Sequence, residues 1–122
     1  MQDNEGNDFL NILHGEKLSS VTFVMDYLQL DFDGNRFTLN VWPVVTINGQ
    51  EYKHEDLEYR NKLCSLIARV ASRVNAVENE HLVIWFENGD RLSVSLDPNN
   101  PELITTEIAI FTDTNEKWYI FQ

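Results

Sequence analysis

The chain has 122 residues, with twenty Asp and Glu against nine Lys and Arg, for a net charge of −11 at neutral pH. That length reads as a single domain over residues 1–122, large enough to remove roughly two-thirds of its unfolded surface from water on folding. The acidic excess repels phosphate backbones and anionic lipid heads across about a Debye length, roughly 8 Å at physiological salt, so neither a nucleic-acid nor a membrane partner is expected.

Seven Phe, four Tyr and three Trp sit within an apolar share of 43%, enough burial to offset the ordering entropy without a staple. The lone Cys64 cannot form an internal disulfide, and no signal-peptide pattern opens the chain. The longest apolar runs, such as Leu82 to Phe86, fall far below the roughly twenty residues of a bilayer span. A reducing cytoplasm is the expected location.

Residues 1–7 are polar and read as a frayed start. Asp8 is placed to cap a short helix in which Phe9, Ile12 and Leu13 share a face, with Gly15 as its left-handed stop. From Val21 to Val41 the period is two. Leu28, Leu30 and Phe32 alternate with Gln29 and Asp31, then Phe37, Leu39 and Val41 with Thr38 and Asn40. This predicts a hairpin with one wet face and a loop of Asp33, Gly34, Asn35 and Arg36. Pro43 marks an edge or bend after Trp42, and Val44, Val45 and Ile47 lead to an Asn48-Gly49 turn.

Between Asp56 and Val74, Tyr59, Leu63, Leu66, Ile67, Val70 and Val74 recur at three- and four-residue steps, which predicts one long helix. Glu55, Asp56 and Glu58 near its start and Arg69 and Arg73 near its end suit its macrodipole. Arg60 and Lys62 would ride on it too. A second hairpin follows, with Leu82, Ile84 and Phe86 before an Asn88-Gly89-Asp90 turn and Leu92, Val94 and Leu96 after it. Beyond a loop from Asp97 to Pro101, the stretches Glu107 to Phe111 and Trp118 to Phe121 form a last strand pair. Both are apolar on two faces, hence buried or interfacial. The expected fold is α+β: a mainly antiparallel sheet of hairpins, one long helix packed on one face, and a short N-terminal helix.

No Gly-rich phosphate loop, His-Glu-x-x-His or glycine-framed Ser is present, so no catalytic residue and no cofactor is expected. His14, His54 and His81 are each near acids in sequence, but a metal site needs three or four convergent ligands, and surface turns account for all three. Cys64 reads as a small buried hydrophobe. The alternation slips between Phe23 and Met25 on one parity and Leu28 and Leu30 on the other, placing a bend at Asp26-Tyr27. There Asp26 would hold local amides and Tyr27 would pack with its hydroxyl at the rim. Tyr59 and Arg60, at the helix start, could meet that bend and give Asp26 a cationic partner. Trp42 and Trp85 fall on the wet parity and are expected on the sheet face opposite the long helix, covered by the N-terminal helix, a second subunit or another protein, in that order of expectation.

The segments Val21 to Leu30, Tyr59 to Ile67 and Glu87 to Leu96 resemble a group of small uncharacterised bacterial proteins, a likeness that covers most of the chain after residue 17. It implies a bacterial origin and a compact α+β fold, and carries no catalytic residues. In size and charge the chain also resembles the immunity proteins that neutralise bacterial toxins.

The first functional reading is a non-enzymatic binding protein that uses the acidic turns at Asp31, Asp33, Glu87 and Asp90, with Trp42 and Trp85, to occupy a basic protein partner. The competing one is a small-ligand domain or enzyme with a cleft near Asp26, Tyr27, Tyr59 and Arg60. A third is a homodimeric module joined through the Trp-bearing face or the apolar last strands.

Overall fold

Alternating apolar residues and glycine turns, repeated along the chain, produce ten short strands and little helix among the described residues. The computed structural model describes residues 8–122. The frayed start expected for residues 1–7, and the side chain of Asp8 with its cap, lie outside the described residues. A 3-10 helix, Asp8–Leu13, precedes β1 (Ser20–Phe23), β2 (Leu28–Phe32), β3 (Asn35–Leu39), β4 (Val44–Ile47) and β5 (Gln50–Tyr52). Then come α1 (Tyr59–Cys64), β6 (Ala71–Val77), β7 (His81–Phe86), β8 (Arg91–Ser95), β9 (Ala109–Thr112) and β10 (Trp118–Phe121).

The strands form two antiparallel sheets, ordered β1-β2-β3-β9-β10 and β5-β4-β8-β7-β6. Leu28, Leu30 and Phe32 pair with Leu39, Phe37 and Asn35, all facing inward. In the second sheet Leu82 and Ile84 meet Val94 and Leu92 in the same way. A strand exposes alternate residues to opposite faces, so one apolar parity per strand suffices to build a shared core. That core is one buried cluster drawn from both sheets, closed by Leu10 and Leu13 of the 3-10 helix. Phe32 and Phe86 stack within it with ring centroids 6.4 Å apart.

Two turns take both central residues to positive φ: Asp33 and Gly34 at 55° and 98°, Asn48 and Gly49 at 52° and 81°. That is the type I′ geometry whose twist suits two-residue hairpins. The first loop is therefore two residues long rather than four, and Asn35 and Arg36 belong to β3.

The predicted long helix is corrected here, and with it the α+β fold class. Of the residues from Asp56 to Val74, only Tyr59–Cys64 are α-helical. Tyr59, Leu63 and Leu66 do form a buried stripe, but Ile67 is 39% exposed. Ala68 then turns to φ 76° and gives its amide to the Leu18 carbonyl at 2.7 Å. Residues 71–77 are a strand, with a register shift between Ala71 and Arg73, paired along β7. After that shift Val74 and Ala76 face the core while Arg73 and Asn75 do not. Val70, Val74 and Val77 are β-branched and suit a half-buried pleated surface, and a waiting antiparallel partner outweighed a weak helical spacing. Neither does a helix lie across a sheet face: α1 sits beside the β3–β4 connection, where Tyr59 donates its hydroxyl to the Pro43 carbonyl at 2.5 Å.

The segment just before β1 joins the two sheets. Gly15 donates to the Ala71 carbonyl and Ala71 to that of Glu16, both at 2.8 Å, and Leu18 donates to Arg69 at 3.0 Å. The next amide, Ser19, crosses to the Asp31 carbonyl of the first sheet at 2.8 Å. No helix among the described residues is long and apolar enough to cross a membrane.

Candidate functional site

The candidate residues fall into three separate places. Asp31 and Asp33 lie at the β2–β3 turn of the first sheet. Asp31 is the anchor of that turn: Oδ1 accepts the Gly34 amide at 2.7 Å, and Oδ2 meets Arg36 at 3.5 Å. Asp33 is exposed, and its amide donates to the Ser19 hydroxyl at 3.2 Å. Of the two, Asp33 is the carboxylate presented outward.

Glu87 and Asp90 flank the β7–β8 turn of the second sheet. Asp90 is only 7% exposed. Its Oδ1 accepts the Asn48 amide at 3.0 Å and its Oδ2 the Asn88 side-chain amide at 2.8 Å, so its role at this turn is internal. Glu87 is exposed and shares a shallow depression with Ser72, Arg73 and Trp85. Trp85 stands on the outer face of the second sheet, in a cross-strand row with Arg73 on one side and Arg91 on the other. Both guanidinium groups lie over its ring, at 5.6 and 5.1 Å from the centroid. Its indole nitrogen is buried with no hydrogen-bond partner among the described residues. Rather than the N-terminal helix or another chain, its own neighbours' guanidinium groups lie over this Trp, and a guanidinium rests on an aromatic ring at little desolvation cost.

Trp42 is not on a sheet face. It lies in the β3–β4 connection, stacked on His54 at 4.1 Å with the rings 6° from parallel, and 6.5 Å from Phe23. His54 in turn meets Tyr59 edge-on at 5.7 Å. Arg60 lies over Phe23 at 5.4 Å, so the start of α1 does reach the end of β1. The bend is there too, closed by the Val24 amide on the Tyr27 carbonyl at 2.9 Å. Asp26, however, is exposed and makes no ion pair with Arg60. Tyr59 is 1% exposed, its hydroxyl is committed to Pro43, and burial raises its pKa well above the ordinary phenol value. It is a packing residue with a satisfied polar tip rather than the wall of an open cleft.

The electrostatic arrangement follows from where the cations go. Arg60, Lys62, Arg73, Arg91 and Lys117 all lie over aromatic rings. Among the described residues only Arg36 pairs with a carboxylate. The acidic excess is thus left unneutralised on the surface, with Asp26, Asp33, Glu51, Glu55, Glu58 and Glu87 all exposed. The basic side chains assigned to a long helix are dispersed instead: Arg60 and Lys62 on α1, Arg69 in the turn after it, and Arg73 on β6. No group of three or more His, Cys, Asp or Glu placed to hold a metal occurs among the described residues. Cys64 is exposed at the end of α1, which corrects its reading as a buried hydrophobe.

The last strand pair adds a further surface feature. On the outer face of the first sheet, polar Gln29 and Thr38 give way along one row to Ile110 and Ile120. The neighbouring row runs from Asp31 and Arg36 to Thr112 and Trp118. Trp118 is 65% and Ile120 50% exposed. The signal was the two-faced apolar character of the last strands, and the inward half of it is explained: Tyr119 stacks on Phe9 at 3.7 Å. The outward half is an uncovered apolar strip. No family model, curated protein or solved structure matches this chain.

Proposed function

We propose that the chain is a non-enzymatic binding protein whose unpaired carboxylates occupy a basic protein partner. The observation that supports this reading is the separation of its charges: five cations rest on aromatic rings, one pairs with Asp31, and the exposed acids keep their charge for an incoming surface. A field of one sign steers encounter and speeds association with an oppositely charged patch. Asp33 and Glu87 are the contact acids in this proposal, because both are exposed, whereas Asp90 is buried at its own turn.

The proposal extends to an immunity-type role in a bacterial cytoplasm, with a toxin as the basic partner. The likeness in size and charge motivates this. The exposed thiol of Cys64 adds support, since a reducing compartment preserves such a group.

The test is affinity capture from the source cell at low salt, followed by stopped-flow association with the captured protein. The expected partner is basic, its association slows steeply as salt rises, and the double variant Asp33→Lys, Glu87→Lys slows it about tenfold or more. A partner whose association ignores both salt and charge reversal contradicts the reading.

A further inference from the structure

An antiparallel strand at the end of a sheet keeps half of its backbone groups unpaired. In the first sheet one such strand is β10, which is bonded on one side to β9. The Asp113 amide donates to the Lys117 carbonyl at 3.0 Å, and the Ile108 amide to the Phe121 carbonyl at 2.7 Å. Odd-numbered residues therefore direct their peptide groups at β9, and Trp118 and Ile120 direct theirs at the open edge. These are the same two residues whose side chains stand exposed on the outer face.

β1 ends the first sheet on its other side, and β5, which ends the second sheet, has the usual protection. It is three residues long, has Glu51 at its centre, and is followed by Lys53. Short, charged edges discourage strand addition. Residues 118–121 read Trp-Tyr-Ile-Phe, without charge or proline.

We infer that β10 is a self-pairing edge, along which two copies of this chain join antiparallel into one continuous sheet. A twofold axis at Tyr119 sets Trp118 of each copy opposite Ile120 of the other. Each such pair exchanges two backbone hydrogen bonds, and the two exposed side chains gain cross-strand neighbours. The charges fit a second copy in this register. Glu116 falls opposite Gln122 and Lys117 opposite Phe121, so no like charges meet along the seam. Self-pairing of β5 about its centre would set Glu51 against Glu51, a destabilising arrangement. The uncharged β10 edge is thus also self-complementary, and pairing there leaves Asp33 and Glu87 outside the strands that meet. The inference does not rest on the basic-partner reading.

Size-exclusion chromatography with light scattering, over a concentration series, tests it on the whole chain. The expected mass is that of two chains. Ile120→Pro removes one outward amide without touching a bond to β9, and should give the mass of one chain with an intact circular-dichroism spectrum. Ile120→Thr keeps the amide and should retain the dimer at weaker affinity. A wild-type chain that stays monomeric at the highest concentration overturns the inference, as does a folded Ile120→Pro that remains dimeric. Should Ile120→Pro fail to fold, the pair Trp118→Lys, Ile120→Lys is read by the same two outcomes.

Discussion

Asp90 accepts the backbone amide of Asn48 at 3.0 Å, so the carboxylate of one hairpin turn closes the turn of another. Its second oxygen is held by Asn88 at 2.8 Å. Asp90→Ala leaves both donors without their acceptor and should cost about 2 kcal/mol, measured by urea unfolding. Asp90→Asn keeps one oxygen for the Asn48 amide and should fall between the two.

Tyr59→Phe orphans the buried Pro43 carbonyl and should cost about 1–2 kcal/mol at neutral pH. Burial raises the Tyr59 pKa above its unfolded value, so the folded chain holds the phenol proton more tightly. The stability this contributes is complete below the ordinary tyrosine range and is lost as pH climbs beyond it. Denaturant titrations at alkaline pH should show the wild type losing stability faster than Tyr59→Phe, with the gap between them narrowing.

Ala68 holds φ 76°, a conformation that L side chains adopt at a cost of roughly 1–2 kcal/mol. Ala68→Gly removes that strain, loses some to unfolded-chain entropy, and should raise stability by about 0.5–1 kcal/mol. Ala68→Val should lower it, because a β-branched residue fits this region worse. Thermal melts of the two variants should move in opposite directions.

The Glu107 pKa is lowered chiefly by the Thr106 hydroxyl, which donates to its carboxylate at 2.6 Å, with its own backbone amide and Thr105 adding to this. A lowered folded-state pKa contributes stability above the ordinary glutamate range, and that stability is lost as pH falls through the lowered value. Thr106→Val should therefore lower the melting temperature slightly at neutral pH and leave it unchanged once the carboxyl is protonated. Melts in neutral and strongly acidic buffer compare the two.

What was legible in the sequence was local. The β2–β3 and β7–β8 hairpins could be read because alternation and a glycine turn lie within a dozen residues of each other. β6 could not. Its valines continued the spacing begun by Tyr59 and Leu63, and what made residues 71–77 a strand was the backbone of β7, together with Gly15, Glu16 and Leu18 from far upstream. The same holds for the candidate site. Asp90 looked like a surface acid because nothing near it in sequence reveals that Asn48 will arrive at its carboxylate. Trp85 was correctly placed on an outward parity, but its cover came from Arg73, which had been assigned to a helix. The apolar character of the last strands was visible. That Trp118 and Ile120 would be the uncovered half depended on Phe9 taking the other face.

The crossing of residues 15–19 from one sheet to the other bears on how the molecule comes apart. Gly15 and Glu16 are bonded to Ala71 of one sheet, and Ser19 to Asp31 of the other. To peel this stretch away is to strip an edge from both sheets at once and to open the cluster they share. Neither sheet can melt and leave the other standing, so heat should take the molecule through a single calorimetric transition. The few residues ahead of β1 act as the clasp of a two-leaved book.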